Sequence, residues 1–211
     1  AKDGFRVLGV GNTSYNQPNF PKNQEEFNFT FIGLVAFYDP PKANIQEVLQ
    51  HFYQAGINVK IITGDNAFTT SAIAKKIDFI GHTQSINGDE IMALSEVELL
   101  KVVMSTNIFT RMFPDAKLRV IEALKNAGQI VAMTGDGVND GPALKAAHIG
   151  IAMGKKGTSI AKDAASLILV DDDLSKMVDA IAMGRKIYTN LKKAIQYIIS
   201  IHIPIILTVF I

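Results

Sequence analysis

The spacing of apolar and polar positions changes near residue 39. Before it, "FRVLGVG" and "FNFTFIGLVAFY" are dense in apolar residues with partial alternation, and the polar run "NTSYNQPNFPKNQEE" lies between them. Period-two patterning predicts strands, and the Asn- and Pro-rich run predicts a loop. Asp39-Pro40-Pro41 fixes two φ angles and ends the second strand, a stiff connector suited to a boundary between two bodies. Beyond it, apolar residues Ile45, Val48, Leu49, Phe52 and Tyr53 recur at helical spacing, and Gly56 stops that helix. "INVKIIT" predicts a strand and "AFTTSAIAKKI" a helix. "SEVELLKVV" predicts a helix with Ser95 as N-cap and Glu98 at the capping-box position. A short strand "NIFTR" precedes the helix "PDAKLRVIEALKNAG", which has Pro at its start and Gly at its end. "QIVAMT", "HIGIAM" and "SLILV" predict three further strands separated by short helical or turn segments.

Near-continuous apolar strands alternating with helices predict a mostly parallel sheet covered on both faces. The expected fold is therefore α/β: a doubly wound domain over residues 39–172, an N-terminal β segment over 1–38, and a C-terminal extension over 173–211. The extension reads as one long helix from about Leu174. Its first half is amphipathic, while residues 194–211 are 18 positions without a charge, the lower edge of a membrane span or else a buried core helix. Arg185, Lys186, Lys192 and Lys193 just before that run place residues 1 to about 193 on the cytoplasmic side of an integral membrane protein. The chain starts in a strand-bearing region and stops in an apolar run, which predicts a piece of a longer protein.

Two strands end in the same three letters, "VKIITGDN" and "IVAMTGDGVND". Ligands of open parallel sheets bind beyond the carboxyl ends of the strands, where Thr63-Gly64-Asp65 and Thr134-Gly135-Asp136 are expected. A glycine lets the backbone approach a phosphate and aim an N–H at its oxygens, and a threonine hydroxyl adds a donor. A carboxylate at the same place repels phosphate unless a cation lies between them, so one of the two Asp is expected to hold Mg2+. Asp136 is the better candidate, because Asn139 and Asp140 follow it with further hard oxygens. Lys117, in the first turn of the helix begun by "FPDAK", offers positive charge where the helix dipole already favours anions. Apolar residues make up 48% and charged residues 19%, the balance of a folded domain. Net charge is +1 and gives no field for nucleic acid. The absence of cysteine excludes disulfides, thiolate metal sites and a cysteine nucleophile.

"MTGDGVNDGPALKAAHIGIAMG" resembles the metal-binding hinge motif of P-type cation-transporting ATPases, members of the haloacid-dehalogenase-like superfamily. "DPPK", "ITGDN" and "FPDAKLRV" match that family's other signatures in the expected order, and the pattern is closest to the type II pumps, which include the calcium transporters. The resemblance implies that residues 1–38 are the last strands of a nucleotide-binding domain, 39–172 a phosphorylation domain, and 173–211 the stalk and start of a fifth transmembrane helix. It implies ATP and Mg2+ as cofactors. Asp136 would coordinate Mg2+, with Asn139 and Asp140 supporting the phosphate and metal cluster. Thr63 and Gly64 would bind phosphoryl oxygens, Asp65 would organise the nucleotide end of the site, Lys117 would neutralise phosphoryl charge, and Arg6 would reach ATP phosphates.

The family's nucleophilic motif, Asp-Lys-Thr-Gly-Thr, does not occur in this sequence. The chain alone is therefore expected neither to phosphorylate itself nor to transport, its partners being the rest of the parent pump, the membrane and the transported cation. His202 and Ile205 fall where calcium pumps carry an Asn and a Glu as ligands, and Pro204 is expected to kink the helix and free the Ser200 carbonyl. Two other readings are a soluble phosphatase of the same superfamily and a catalytically silent Mg2+- or nucleotide-binding module.

Overall fold

The computed structural model describes residues 5–16 and 18–209, and the chain divides into two compact units. The first comprises Ala1–Gln46 and Val59–Val131, the second Glu47–Asn58 and Ala132–Ile211.

In the first unit, β1 (Arg6–Asn12) and β2 (Thr30–Phe37) form an antiparallel hairpin in which Arg6 faces Phe37 and Leu8 faces Val35. Leu34 and Val35, neighbours that point to opposite faces of β2, are both exposed. The parallel part is a three-stranded sheet of order β3-β5-β4, with β3 at Ile61–Ile62, β4 at Ser85–Asn87 and β5 at Ile108–Thr110. Every residue of β5 is buried, as its central place requires. Around the sheet lie α2 (Ala67–Lys76), α3 (Gly88–Ala93), α4 (Glu96–Ser105) and α5 (Pro114–Asn126), and the core is built on Phe79, Ile91, Leu99, Val103, Ile108, Phe109 and Val120.

The expected start signals operate. Ser95 Oγ accepts from the Glu98 amide at 3.5 Å, and the Ser95 hydroxyl and amide donate to Glu98 Oε2 at 2.6 and 3.0 Å; those two bonds to the carboxylate, the hydroxyl's first, hold its pKa below the usual value. Gly128, at φ 76°, closes α5: its amide donates to Lys125 O and the next amide, Gln129, to Leu124 O. Those bonds satisfy the carbonyls that a helix end leaves over, in a conformation glycine adopts without strain. Lys60 Nζ, just before β3, donates to Thr106 O at 2.6 Å and Asn107 Oδ1 at 3.0 Å, and its burial pushes the ammonium pKa down.

The second unit has its own parallel sheet, of order β6-β7-β8, from Ala132–Gly135, Ile149–Met153 and Leu167–Leu169. Helix α1 spans Ile45–Gln54, and its apolar stripe Val48, Leu49 and Phe52 is buried. Helices α6 (Gly141–Ala146) and α7 (Ser159–Ala164) follow β6 and β7, and Met133, Ala143, Leu144, Ile151, Ala152 and Ala161 complete the core. Last comes α8, Ser175–Val209, 35 residues long with no buried residue among those described. It is about 52 Å long at 1.5 Å per residue and is the one described helix long and apolar enough to cross a membrane. Arg185 on α8 donates to Ala55 O, just past the end of α1, at 2.7 Å.

The α/β class, the N-terminal β hairpin and the long C-terminal helix agree with the sequence reading. Two features differ from it. Among the described residues the parallel strands form two three-stranded sheets rather than one, because β3 bonds only β5 and β6 only β7. In addition, β4 and α3 arise from "SINGDEIMA", a stretch too short for its periodicity to stand out.

Candidate functional site

The Thr63-Gly64-Asp65 segment follows β3 and is strapped to the exit of β5 by the backbone. Thr63 N donates to Phe109 O, Met112 N to Thr63 O and Arg111 N to Asp65 O, each at 2.9 Å. Arg111 adopts φ 48°, a left-handed conformation that turns the chain out of β5 between two of those bonds. Inside the segment, Thr63 Oγ1 accepts from the Asp65 amide at 3.1 Å. Gly64 is exposed, and a Cβ built on it would meet nothing within 4 Å. Asn66 then caps α2, its Oδ1 accepting from the Thr69 amide at 3.0 Å. The segment thus offers an open backbone beside a threonine and an aspartate. Five residues past Met112, Lys117 lies in the first turn of α5, with its amide bonded to Phe113 O at 3.0 Å. These four residues share the first unit. Arg6 lies in β1, and its side chain is outside the described residues.

In the second unit β6 runs into Thr134-Gly135-Asp136, and a 3-10 turn at Val138–Asp140 leads into α6. Asp140 is buried, and its Oδ2 accepts from the Asp136 amide at 3.3 Å and the Gly137 amide at 3.1 Å. That carboxylate therefore staples the turn on which Asp136 sits. A Cβ on Gly135 would stand 2.6 Å from Asp140 Cβ and 2.8 Å from Asp140 Cγ, so the staple requires glycine there. Asp136 and Asn139 are both exposed on the stapled turn. The Asp136 carbonyl accepts from the Thr158 amide at 2.8 Å.

The donor chemistry suits Mg2+, which takes one or two carboxylates with other hard oxygens and keeps several waters. No group of three or more His, Asp or Glu side chains with metal-holding geometry occurs among the described residues. The sequence reading treated Asp140 as a second ligand, and the structure adds a job for its Oδ2 inside the turn. Thr158 and Asn66 were not singled out by sequence. Their signal is a Thr or Asn one position before a helical run, which marks an N-cap, and both residues occupy that place. In α8, His202 Nδ1 lies 2.8 Å from Ile198 O, and Ser200 Oγ donates to Gln196 O at 2.8 Å, so both side chains bond along their own helix.

Parallel sheets whose strands end in Thr-Gly-Asp turns, one stapled by a buried carboxylate, define an α/β protein with hard-oxygen and backbone-amide donors at its strand ends. A family model described as hydrolase, haloacid dehalogenase-like hydrolase, matches residues 6–148, and the chain belongs to that family. It is also similar along its length to cation pumps. It is 39% identical over 211 residues to Calcium-transporting ATPase 1 of Bacillus cereus, covering all of this chain and 24% of that protein. It is 44% identical over 198 residues to the human Calcium-transporting ATPase type 2C member 2, covering 93% of this chain and 20% of that protein. A third relative, Probable cation-transporting ATPase F of Mycobacterium tuberculosis, is 41% identical over 201 residues, with 92% of this chain and 22% of that protein covered. The chain thus spans between a fifth and a quarter of the length of these relatives.

Proposed function

We propose that this chain is the phosphoryl- and Mg2+-handling portion of an ATP-driven, P-type cation pump, with calcium as the cation favoured by the relatives' names. Residues 1–38 close a nucleotide-binding domain, residues 39–172 form the phosphorylation domain, and α8 leaves it as a stalk entering the membrane. One observation carries this reading: the turn after β6, where buried Asp140 bonds the Asp136 and Gly137 amides while Asp136 and Asn139 stay exposed. A carboxylate held on a stapled turn is prearranged for a cation, and prearranged charge is what a phosphoryl-transfer centre uses.

The remaining roles are those the family resemblance implies. Bound Mg2+ would neutralise phosphoryl charge, held by Asp136 with Asn139 and Asp140 in support. Gly64 and Thr63 present an amide and a hydroxyl to phosphoryl oxygens, Asp65 organises the nucleotide end, and Lys117 adds a cation at a helix start. Arg6 is assigned to ATP phosphates by the family resemblance alone. The nucleophilic aspartate comes from the rest of the pump, so the isolated chain forms no phosphoenzyme. The test is Asp136→Asn in the full-length protein, with phosphoenzyme formation from ATP as the measurement. Labelling is expected to vanish, and normal labelling would exclude Asp136 from metal binding.

A further inference from the structure

The acidic run after β8 contains one buried carboxylate between two more accessible ones. Asp171 is exposed and pairs with Lys155 Nζ at 3.5 Å, a surface contact of small energetic weight. Asp172 is only 7% exposed, and both of its oxygens bond main chain: Oδ1 accepts from the Lys155 amide and Oδ2 from the Lys156 amide, each at 2.9 Å. Its backbone sits at φ 55°, in the left-handed region that few non-glycine residues adopt. Asp172 is therefore held in a disfavoured conformation with its carboxylate directed onto two adjacent amides. Those amides belong to the connection between β7 and α7.

That connection has little freedom. Gly154 N donates to Leu169 O at 2.8 Å, and a Cβ on Gly157 would fall 2.0 Å from Met153 O. The connection ends at Thr158, which caps α7 through its hydroxyl and donates its amide to the Asp136 carbonyl at 2.8 Å. A continuous path thus runs from the Asp172 carboxylate through Lys155, Lys156 and Gly157 to the backbone of Asp136, wholly within the second unit. Asp140 holds the Asp136 amide from one side, and the Thr158 amide holds its carbonyl from the other.

We infer that Asp172 is a positioning residue for the metal site: by clamping the β7–α7 connection it fixes the Thr158 amide on Asp136 and so sets the origin of the metal-binding carboxylate. This rests on the reading of Asp136 as a Mg2+ ligand. Groups that orient a ligand from behind tune metal affinity by about 10- to 100-fold. Removing the Asp172 carboxylate leaves two amides without their acceptors and frees the connection to move.

The experiment uses the full-length protein with Mn2+ as a paramagnetic probe, its binding read by electron paramagnetic resonance. Asp172→Asn keeps shape and tolerates the left-handed backbone but retains only one acceptor oxygen. Asp172→Gly relaxes the backbone and removes the carboxylate. We expect the Mn2+ Kd to rise about 3-fold in the first and about 10-fold in the second, with nucleotide affinity measured without divalent metal unchanged. Asp136→Asn, run alongside, is expected to weaken Mn2+ at least as much. Unchanged Mn2+ affinity in both Asp172 variants, with weakened binding in Asp136→Asn, overturns the positioning role. Unchanged affinity in Asp136→Asn instead overturns the metal reading beneath it. Should both Asp172 variants fail to fold, hydrogen exchange of the wild type decides: Mg2+ is expected to slow exchange across residues 155–158, and an unaltered rate there contradicts the proposal.

Discussion

The two Thr-Gly-Asp turns are spelled alike and built differently. The turn at residues 63–65 is held from outside, by three backbone bonds to the exit of β5, and its glycine stands in open space. The turn at residues 134–136 is stapled from within by the Asp140 carboxylate, with the Thr158 amide on its Asp136 carbonyl, and its glycine exists because that carboxylate leaves no room for a Cβ. An open glycine suits the approach of a bulky anion, whereas a stapled turn with an exposed aspartate suits a small cation. Identical letters at a strand end thus fold into two different settings, set by the surrounding bonds.

The largest expected effect lies with Lys117, in the first turn of α5. Lys117→Ala in the full-length protein should slow phosphoryl transfer by about 100-fold. Wild-type turnover would remove Lys117 from the site. The two glycines come next. Gly135→Ala forces a methyl into the Asp140 side chain and should destabilise by about 1–3 kcal/mol, while Gly64→Ala, with nothing near it, should stay within about 0.5 kcal/mol. Equal losses in denaturant melts would erase the distinction between the turns.

Asp140→Ala leaves the Asp136 and Gly137 amides without their acceptor and should cost about 1–3 kcal/mol, against about 1 kcal/mol for Thr63→Val, which removes a single acceptor from the Asp65 amide. The smallest effect is one of pH. Burial lowers the Lys60 pKa on folding, so the unfolded chain binds more protons between the folded value and the ordinary lysine value. Stability should therefore rise slightly with pH as the ordinary lysine range is approached, and Lys60→Met should abolish that slope in melts at increasing pH.

Much of the scaffold was legible because local rules and the fold agree. Ser95 with Glu98, Pro114, Gly56 and Gly128 mark helix ends, and the structure uses each as a helix start or stop. The three strands of the second unit stood out as apolar runs bounded by turn residues. Between α2 and α4, Asn87 and Glu90 form a capping box whose letters are plain, Asn-x-x-Glu before an apolar pair. The strand there has only three residues and the helix six, too few for periodicity to register. The pairing of strands into two sheets was not legible either, because periodicity reports which face of a strand is buried and not which strand lies beside it.

Of the site, residue types were legible and bonding was not. Asp136 and Asn139 stand exposed, but Asp140 spends an oxygen on its own turn, a role that spacing alone does not distinguish from ligation. In the sequence Asp172 is one of three adjacent aspartates. Only its burial and left-handed backbone separate it from its neighbours, and both depend on contacts made by distant residues.

The division of labour between the turns is tested most directly by measuring Mn2+ and ATP affinity in the full-length protein bearing Asp65→Asn or Asp136→Asn. We predict that Asp136→Asn weakens Mn2+ by at least about 10-fold, whereas Asp65→Asn leaves Mn2+ affinity unaltered and changes ATP affinity instead. Equal loss of Mn2+ binding in the two variants would contradict the account.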